Sequence, residues 1–367
     1  MIIYVFFFLL LLLTGGLSYN KINTNTVTFI AIGFTLIIGL RGPDVGPDTP
    51  TYIMTFQQRF DNSLSQVFID KTDDARHEYL YLTIMWAVRS ITDNYTIMLL
   101  VWAILPVYLI WKTQKDELEY SPDLAVSYIV FFILGFFVFF TSGIRQTVAI
   151  SIAFFSYRYL KEPFGEIMLK DKNSILFMLC MILGYYIHNS ILVFAIIYPL
   201  KGFLQKFQAK AWHLIPVAAL FFVGKSIGIG QITAVAAYLF DDTYSQYGTD
   251  KTDSLNSSAF IMQMILYLMC FFVRGRLFAK DKSNILLLNL VFIGMVAQSM
   301  SGALAEMARI SYYFSIFYIV LIPRALQEWT NYGKNMSIYV GFVCFCLFYL
   351  FFLSSFNMPD YSFFWNK

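Results

Sequence analysis

Charged side chains are what this chain has least of. Asp, Glu, Lys and Arg make up 13% of its 367 residues, against roughly 25% in an ordinary soluble domain. Hydrophobic residues, with Tyr and Trp counted, make up 58%, and the mean hydropathy is +0.63. One soluble core has no room for that much apolar surface, which excludes a water-soluble enzyme and a disordered chain. The net charge of +3 is too small to suggest a nucleic-acid partner. Cysteine is scarce as well. The four that occur, Cys180, Cys270, Cys344 and Cys346, all sit in apolar runs. They read as small buried hydrophobes, so neither disulfides nor a metal site is expected. There is no P-loop, no GxGxxG after a strand, no HExxH and no CxxC pair. Nucleotide use and zinc chemistry therefore have no support, and no cofactor is expected.

What the chain does have is long apolar runs, such as Ile2–Leu13 and Ile338–Leu353. Barrel strands would alternate apolar and polar residues over about 10 positions. Unbroken runs near 20 residues read instead as membrane helices, whose backbone satisfies itself inside lipid. Thirty-nine Phe and 25 Tyr suit a lipid-facing surface with aromatic belts. The expected class is all-α and polytopic: a single membrane domain, 1–367, with about 11 to 13 transmembrane helices. The candidate spans are 1–18, 25–40, 77–92, 95–111, 123–141, 145–160, 174–187, 189–200, 212–224, 259–273, 284–300, 306–323 and 337–353. The first is read as a retained helix, because it lacks the basic start and small-residue cleavage site of a signal peptide.

Basic residues in short loops set the orientation. Lys112/Lys115, Arg158/Lys161/Lys170/Lys172, Lys201/Lys206/Lys210, Arg274/Arg276/Lys280/Lys282 and Arg324/Lys334 are expected in the cytoplasm. Residues 141–145, His188, 224–258, 300–308 and the C-terminus then fall outside. Keeping Lys112 inside requires 77–92 to be re-entrant or surface-lying. Two polar stretches, 41–76 and 225–258, are read as extracytoplasmic loops. The second carries Asp241, Asp242, Tyr244, Tyr247, Asp250 and Asp253. It is either a solvated loop or a sugar-binding surface of carboxylates and stacking rings.

Ionisable groups within apolar helices cost roughly 2.5–3.5 kcal/mol on insertion, so each is a functional candidate. In Thr141-Ser142-Gly143-Ile144-Arg145-Gln146, Arg145 stands where a helix begins. The guanidinium and the backbone N–H groups there suit an anion such as a diphosphate, with Gln146 as a further donor. The other reading is an Arg snorkelling to headgroups. In Glu306-Met307-Ala308-Arg309-Ile310-Ser311-Tyr312-Tyr313, Arg309 can share a face with Glu306, Tyr312 and Tyr313. It is either a local ion pair or a second cation aimed at the site. His188, within Tyr185-Tyr186-Ile187-His188-Asn189-Ser190, is either a satisfied structural group or a general base. The loop Arg41-Gly42-Pro43-Asp44-Val45-Gly46-Pro47-Asp48-Thr49-Pro50-Thr51-Tyr52 is held tight by its Gly and Pro residues. Asp48, one turn from Tyr52, either caps a helix starting near Thr51 or orients or deprotonates a sugar hydroxyl. His77-Glu78 supplies another acid. Asp44 and Asp48 alone are too few ligands for a divalent ion, and no metal is expected.

Taken in order, Arg41-Gly-x-x-x-Gly-x-Asp48-Thr-x-x-Tyr52, Glu78, Ser142-Gly-Ile-Arg145-Gln146, His188-Asn-Ser190 and Arg309-x-x-x-Tyr313-Phe314 resemble the EpsG family. These are Wzy-like polysaccharide polymerases of O-antigen, capsule and exopolysaccharide assembly. The chain departs from the family's pattern after Glu78, where Tyr79-Leu80 stand in place of Pro and Gly.

The resemblance implies a multi-pass protein of the bacterial inner membrane, of GT-C-like glycosyltransferase architecture, with its site facing the periplasm or exterior. It implies transfer of a growing glycan from undecaprenyl diphosphate to the non-reducing end of a lipid-linked repeat unit. Lipid-linked oligosaccharides are then donor and acceptor. Membrane lipids, a chain-length regulator and a flippase are the further partners. Under that reading Arg145, Arg309, Arg41 and Gln146 hold the diphosphate, and Asp48, His188 or Glu78 is the base. Tyr52, Tyr312 and Tyr313 line the substrate, and in-line displacement inverts the anomeric centre. Two alternatives remain: a flippase for the same lipid-linked units, and a membrane O-acyltransferase acting on polysaccharide. A flippase would also need cations, but no paired broken helices or repeats of the transporter kind are seen.

Overall fold

The computed structural model describes residues 21–59, 63–70, 78–161, 171–226, 253–302, 304, 306–331, 334–353 and 361–365. The expected first helix, His77 and residues 227–252 of the second polar stretch lie outside them. Every named regular element among the described residues is helical, and their β-type pairings are two isolated antiparallel bridges, Lys21–Tyr120 and Arg41–Phe363.

The chain forms two compact units. The first comprises Met1–Tyr128, Gly135–Pro199 and Asn357–Lys367. It is built from α1 (Thr24–Gly39), α2 (Thr49–Arg59), α3 (Leu64–Asp70), α4 (Tyr79–Arg89), α5 (Tyr95–Glu117), most of α6 (Ser121–Ile133), α7 (Phe136–Ser142), α8 (Ile144–Ser156) and α9 (Lys172–Tyr185). Side chains cap three of these starts. Asn23 accepts from the Asn25 N–H, Asn94 from Thr96 and Asp171 from Ser174, each satisfying a donor that the helix itself leaves unpaired. On α1, Val27, Ile30, Phe34 and Ile38 are buried at helical spacing. They turn one stripe to α5, which packs in turn on α8, and α8 on α9. Phe34 meets Tyr128 and Phe137 at 5.3 and 5.7 Å. At one end of α5 and α8 the charges are paired: Asp116 with Lys112 and with Arg158, and Glu117 with Lys161.

The second unit comprises Ile129–Leu134 and Leu200–Phe356. Its main helices are α10 (Ile197–Leu204), which starts in the first unit, α11 (Leu214–Ser226), α12 (Asp253–Lys280), α13 (Ser283–Ser299), α14 (Glu306–Ser315), α15 (Tyr318–Trp329) and α16 (Met336–Phe348). Buried polar side chains join these helices. Ser311 donates to Gly294 O at 2.8 Å, Gln263 to Ser311 at 3.2 Å, and Tyr318 to Gln263 O at 2.9 Å. Asn289 donates to Leu204 O and Phe207 O. Such bonds hold helices together where lipid removes the hydrophobic drive between them.

Two described helices, Tyr95–Glu117 and Ser257–Lys280, are long and apolar enough to cross a membrane. Counting each bent pair as one span raises the number to four. Ser121–Ile133 with Phe136–Ser142 bends by 64°, and Glu306–Ser315 with Tyr318–Trp329 by 50°, which corrects the expectation that no paired broken helices occur. Six further apolar helices are shorter. The count over the described residues is below the 11 to 13 spans expected from hydropathy because six apolar stretches form helices of only 10–17 residues, and the backbone is interrupted at 134–135 and 316–317 within two others.

The stretch 41–76, expected as a loop, carries α2 and α3. Ile53 and Phe56 of α2 and Val67 of α3 are buried, so these short helices have an apolar side to seat. The segment 77–92 forms α4, whose 11 residues span about 16 Å, too little to cross a bilayer core of about 30 Å. All four cysteines are free thiols, and Cys344 is exposed. That corrects the expectation that all are buried: an apolar helix in lipid turns apolar residues outward as well as inward.

Candidate functional site

The loop after α1 is shaped by backbone demands. Gly46 has φ +88°, a left-handed conformation that L side chains rarely adopt. A Cβ built there would meet the Thr141 carbonyl oxygen at 2.3 Å. The loop thus lies directly on the last turn of α7. The Thr49 hydroxyl stands 2.7 Å from Val45 O and 3.1 Å from Thr141 O, and Ser142 Oγ donates to Asp48 Oδ2 at 2.9 Å. Asp48 is thereby fixed against a residue 94 positions away. The expected helix after it starts at Thr49. Replacing Gly46 with Ala is expected to cost about 2 kcal/mol, from the strained φ and the clash with a carbonyl that cannot rotate away. A fall in the thermal midpoint of the detergent-solubilised protein checks this.

Arg41 is completely buried. Its Nη1 donates to Ile38 O at 2.6 Å and its Nε to Thr49 Oγ1 at 3.3 Å. Burial pushes its guanidinium down to about 10, so it remains charged at neutral pH. A side chain expected to hold a ligand is thus enclosed by its own loop.

The second group gathers around Arg145. Gly143 ends α7, and Arg145 is the second residue of α8. Its Nη1 lies 3.0 Å from Glu78 Oε2. Glu78 precedes the first residue of α4, and its Oε1 accepts the Asn189 N–H at 3.0 Å and lies 3.3 Å from His188 Nδ1. The Tyr186 carbonyl accepts from the Leu80 and Tyr81 N–H groups at 2.9 and 3.3 Å. The turn after α9 therefore caps α4 and delivers His188 and Asn189 to the same carboxylate. The Tyr81 ring lies under the Arg145 guanidinium at 5.1 Å, and Tyr52 is its hydrogen-bonding neighbour. Burial pushes the Glu78 carboxyl up. The His188 ring 3.3 Å away, the Arg145 charge and the Asn189 N–H together outweigh it, leaving Glu78 below the usual carboxylate range.

The structure thus brings Tyr52, Glu78, Arg145 and His188 into one cluster, with Asp48 held by Ser142, three residues before Arg145. Gln146, next in the chain, is buried. Arg309, Tyr312 and Tyr313 belong to the second unit. There Arg309 is exposed and stands 3.8 Å from Glu306, while Tyr313 is fully and Tyr312 partly buried. Sequence reasoning gave no site role to Ser142, Tyr81 or the Asn189 N–H. Ser142 and Asn189 stand inside the motifs already singled out, and Tyr81 had no signal beyond following Glu78 by three. Among the described residues, no group of three His, Cys, Asp or Glu stands together to hold a metal ion.

Chemically, a carboxylate against His188 Nδ1 leaves Nε2 as the ring nitrogen to take a proton. A guanidinium in a part-buried setting is suited to developing phosphate charge. Compared with known proteins, residues 24–366 match the model of the EpsG family. No curated protein and no solved structure matches.

Proposed function

We propose, from the premise that this chain belongs to the EpsG family, a family of Wzy-like polymerase-type membrane proteins, that it is a polysaccharide polymerase working on lipid-linked repeat units. The convergence of Arg145, Glu78 and His188 from three remote segments carries this reading. A hydroxyl at the non-reducing end of the acceptor attacks the anomeric carbon of the donor glycan. The new glycosidic C–O bond forms as the bond to undecaprenyl diphosphate breaks. The leaving group takes the electron pair, and the hydroxyl proton passes to His188 Nε2. Glu78, held below the usual carboxylate range and ionised at neutral pH, orients that ring. Arg145 meets the negative charge that gathers on the diphosphate. Glu78 engages Nη1 of a guanidinium that carries five donors in all.

Asp48 and Tyr52 stand by for the acceptor sugar. Gln146 adds a donor for the diphosphate; in the second unit, Arg309 is a candidate phosphate contact and Tyr312 and Tyr313 are candidate substrate contacts. Displacement in line inverts the anomeric centre. The architecture under this reading is of the GT-C kind, in the bacterial inner membrane with the site on its outer side, alongside a flippase and a chain-length regulator. The test supplies purified protein in detergent with lipid-linked repeat units. A ladder of lengthened glycans supports the polymerase. Single units of unchanged length, or an added acetyl mass, would overturn it in favour of a flippase or an acyltransferase.

A further inference from the structure

Residues Tyr361–Trp365 return to the end of α1. The Gly42 N–H donates to Ser362 O at 2.8 Å and the Phe364 N–H to Leu40 O at 3.0 Å, on either side of the antiparallel bridge between Arg41 and Phe363. The Tyr361 hydroxyl donates to Ile37 O. The segment is stiffened by its own rings, with Tyr361 against Phe363 at 5.1 Å and Phe363 stacked on Trp365 at 4.4 Å. The approach is close enough that a Cβ on Gly42 would stand 2.3 Å from Ser362 Oγ.

A contiguous chain of contacts runs from this segment to the site. The bridge fixes the backbone of Arg41. The Arg41 side chain clamps the carbonyl of Ile38 and the hydroxyl of Thr49. Thr49 reaches the carbonyl of Thr141, and the next residue, Ser142, holds Asp48. A loop of Gly and Pro buries little apolar area of its own, so hydrogen bonds must offset the entropy of ordering it. A guanidinium that is 0% exposed is not displayed to a ligand, and burying one is costly; the bonds of Nε and Nη1 to Thr49 and Ile38 offset part of that cost, while Nη2 has no hydrogen-bond partner among the described residues.

We infer that Arg41 is a positioning residue and that residues 361–364 form a strap which, through Arg41 and Thr49, fixes the loop bearing Asp48 and Tyr52. The use of that loop in sugar transfer rests on the function proposed above; the strap itself does not.

Val45, at 0% exposure within the loop, provides a reporter independent of activity. A Val45→Cys chain, measured against the parent as background, is expected to resist maleimide in membranes. It is expected to label at least about ten-fold faster when residues 361–367 are deleted or Arg41 is changed to Met or Lys. Lys keeps the charge but not the planar fork, so Arg41→Lys separates clamping from phosphate binding. The strap predicts a kcat about ten-fold lower with KM for the lipid-linked donor within about two-fold. A raised KM with Val45→Cys still protected means that Arg41 is a ligand, and overturns the inference. Protection in all three altered chains overturns it too.

The double variant G42C/S362C covers the case in which the deletion misfolds. The two Cβ positions are 3.4 Å apart, close to disulfide geometry. Oxidation is expected to form the bond and leave polymer output intact. Loss of output that reduction restores means that the strap must open during turnover, and overturns a fixed mount. If the parent makes no polymer from lipid-linked units, the polymerase reading fails, and the labelling arm still decides the strap.

Discussion

Changing Arg145 to Ala is expected to end chain growth while single lipid-linked units persist. Removing one preorganised donor from a developing oxyanion costs about 10²- to 10³-fold in rate. Here a full charge goes as well, so a loss of about 10³-fold is expected. The same change strands Glu78, which is ionised, part-buried and 3.0 Å from the missing guanidinium. Removing one partner of a buried pair costs about 3–5 kcal/mol. The side chains are 19% and 15% exposed, so water screens part of that, and about 2 kcal/mol is expected. The two effects separate in the double variant Arg145→Ala/Glu78→Gln, which should recover stability but not polymer. Glycan length on gels and the thermal midpoint in detergent are the measurements. Long chains from the Arg145→Ala variant at normal membrane levels would remove Arg145 from the site.

Glu78→Gln is expected to lower kcat by about 10²-fold, the lower end of what a general acid–base arrangement contributes. The amide still fills the space, but it no longer puts a negative charge beside His188 and Arg145. Stability follows pH in a defined direction. In the fold this carboxyl sits below its ordinary value. Its contribution is therefore complete above the unfolded value, about 4.3, and is lost as pH falls through the lower folded value. The difference in thermal midpoint between the parent and Glu78→Gln should be full at pH 6–8 and shrink below about pH 4. A difference that grew on acidification would mean that the carboxyl is raised, and that Arg145 and His188 do not govern it.

Much of this was open to reading because hydropathy runs in one dimension, as helices do. The expected spans at 25–40, 174–187 and 284–300 coincide with α1, α9 and α13 within two residues, and that at 95–111 with the start of α5, which runs on to Glu117. What hydropathy does not encode is where the backbone breaks, so α6 and α7, and α14 and α15, had merged. Arg145 and His188 stood out as costly groups beside apolar runs, and Asp48 as a carboxylate in a loop tightened by Gly and Pro. Their partners did not, since Glu78 lies 67 positions from Arg145 and 111 from the Asn189 N–H. Arg41 came into the site only through the family resemblance, and its burial and bonds were not legible from the sequence. A guanidinium bonded to a carbonyl at the end of α1 and to a hydroxyl at the start of α2 and one turned to a ligand look alike as letters. The strap was invisible, because its bonds to Gly42 and Leu40 are main chain to main chain and leave no signature in residue type.

The capping of α4 by the Tyr186 carbonyl bears on how this sequence can drift. The spacing of imidazole and carboxylate is anchored by peptide groups at Leu80, Tyr81, Tyr186 and Asn189, whose geometry is indifferent to the side chains they carry. Neighbouring residues are therefore at liberty to vary, while gain or loss of a single residue between Tyr186 and Asn189 would throw the ring out of register with its acid.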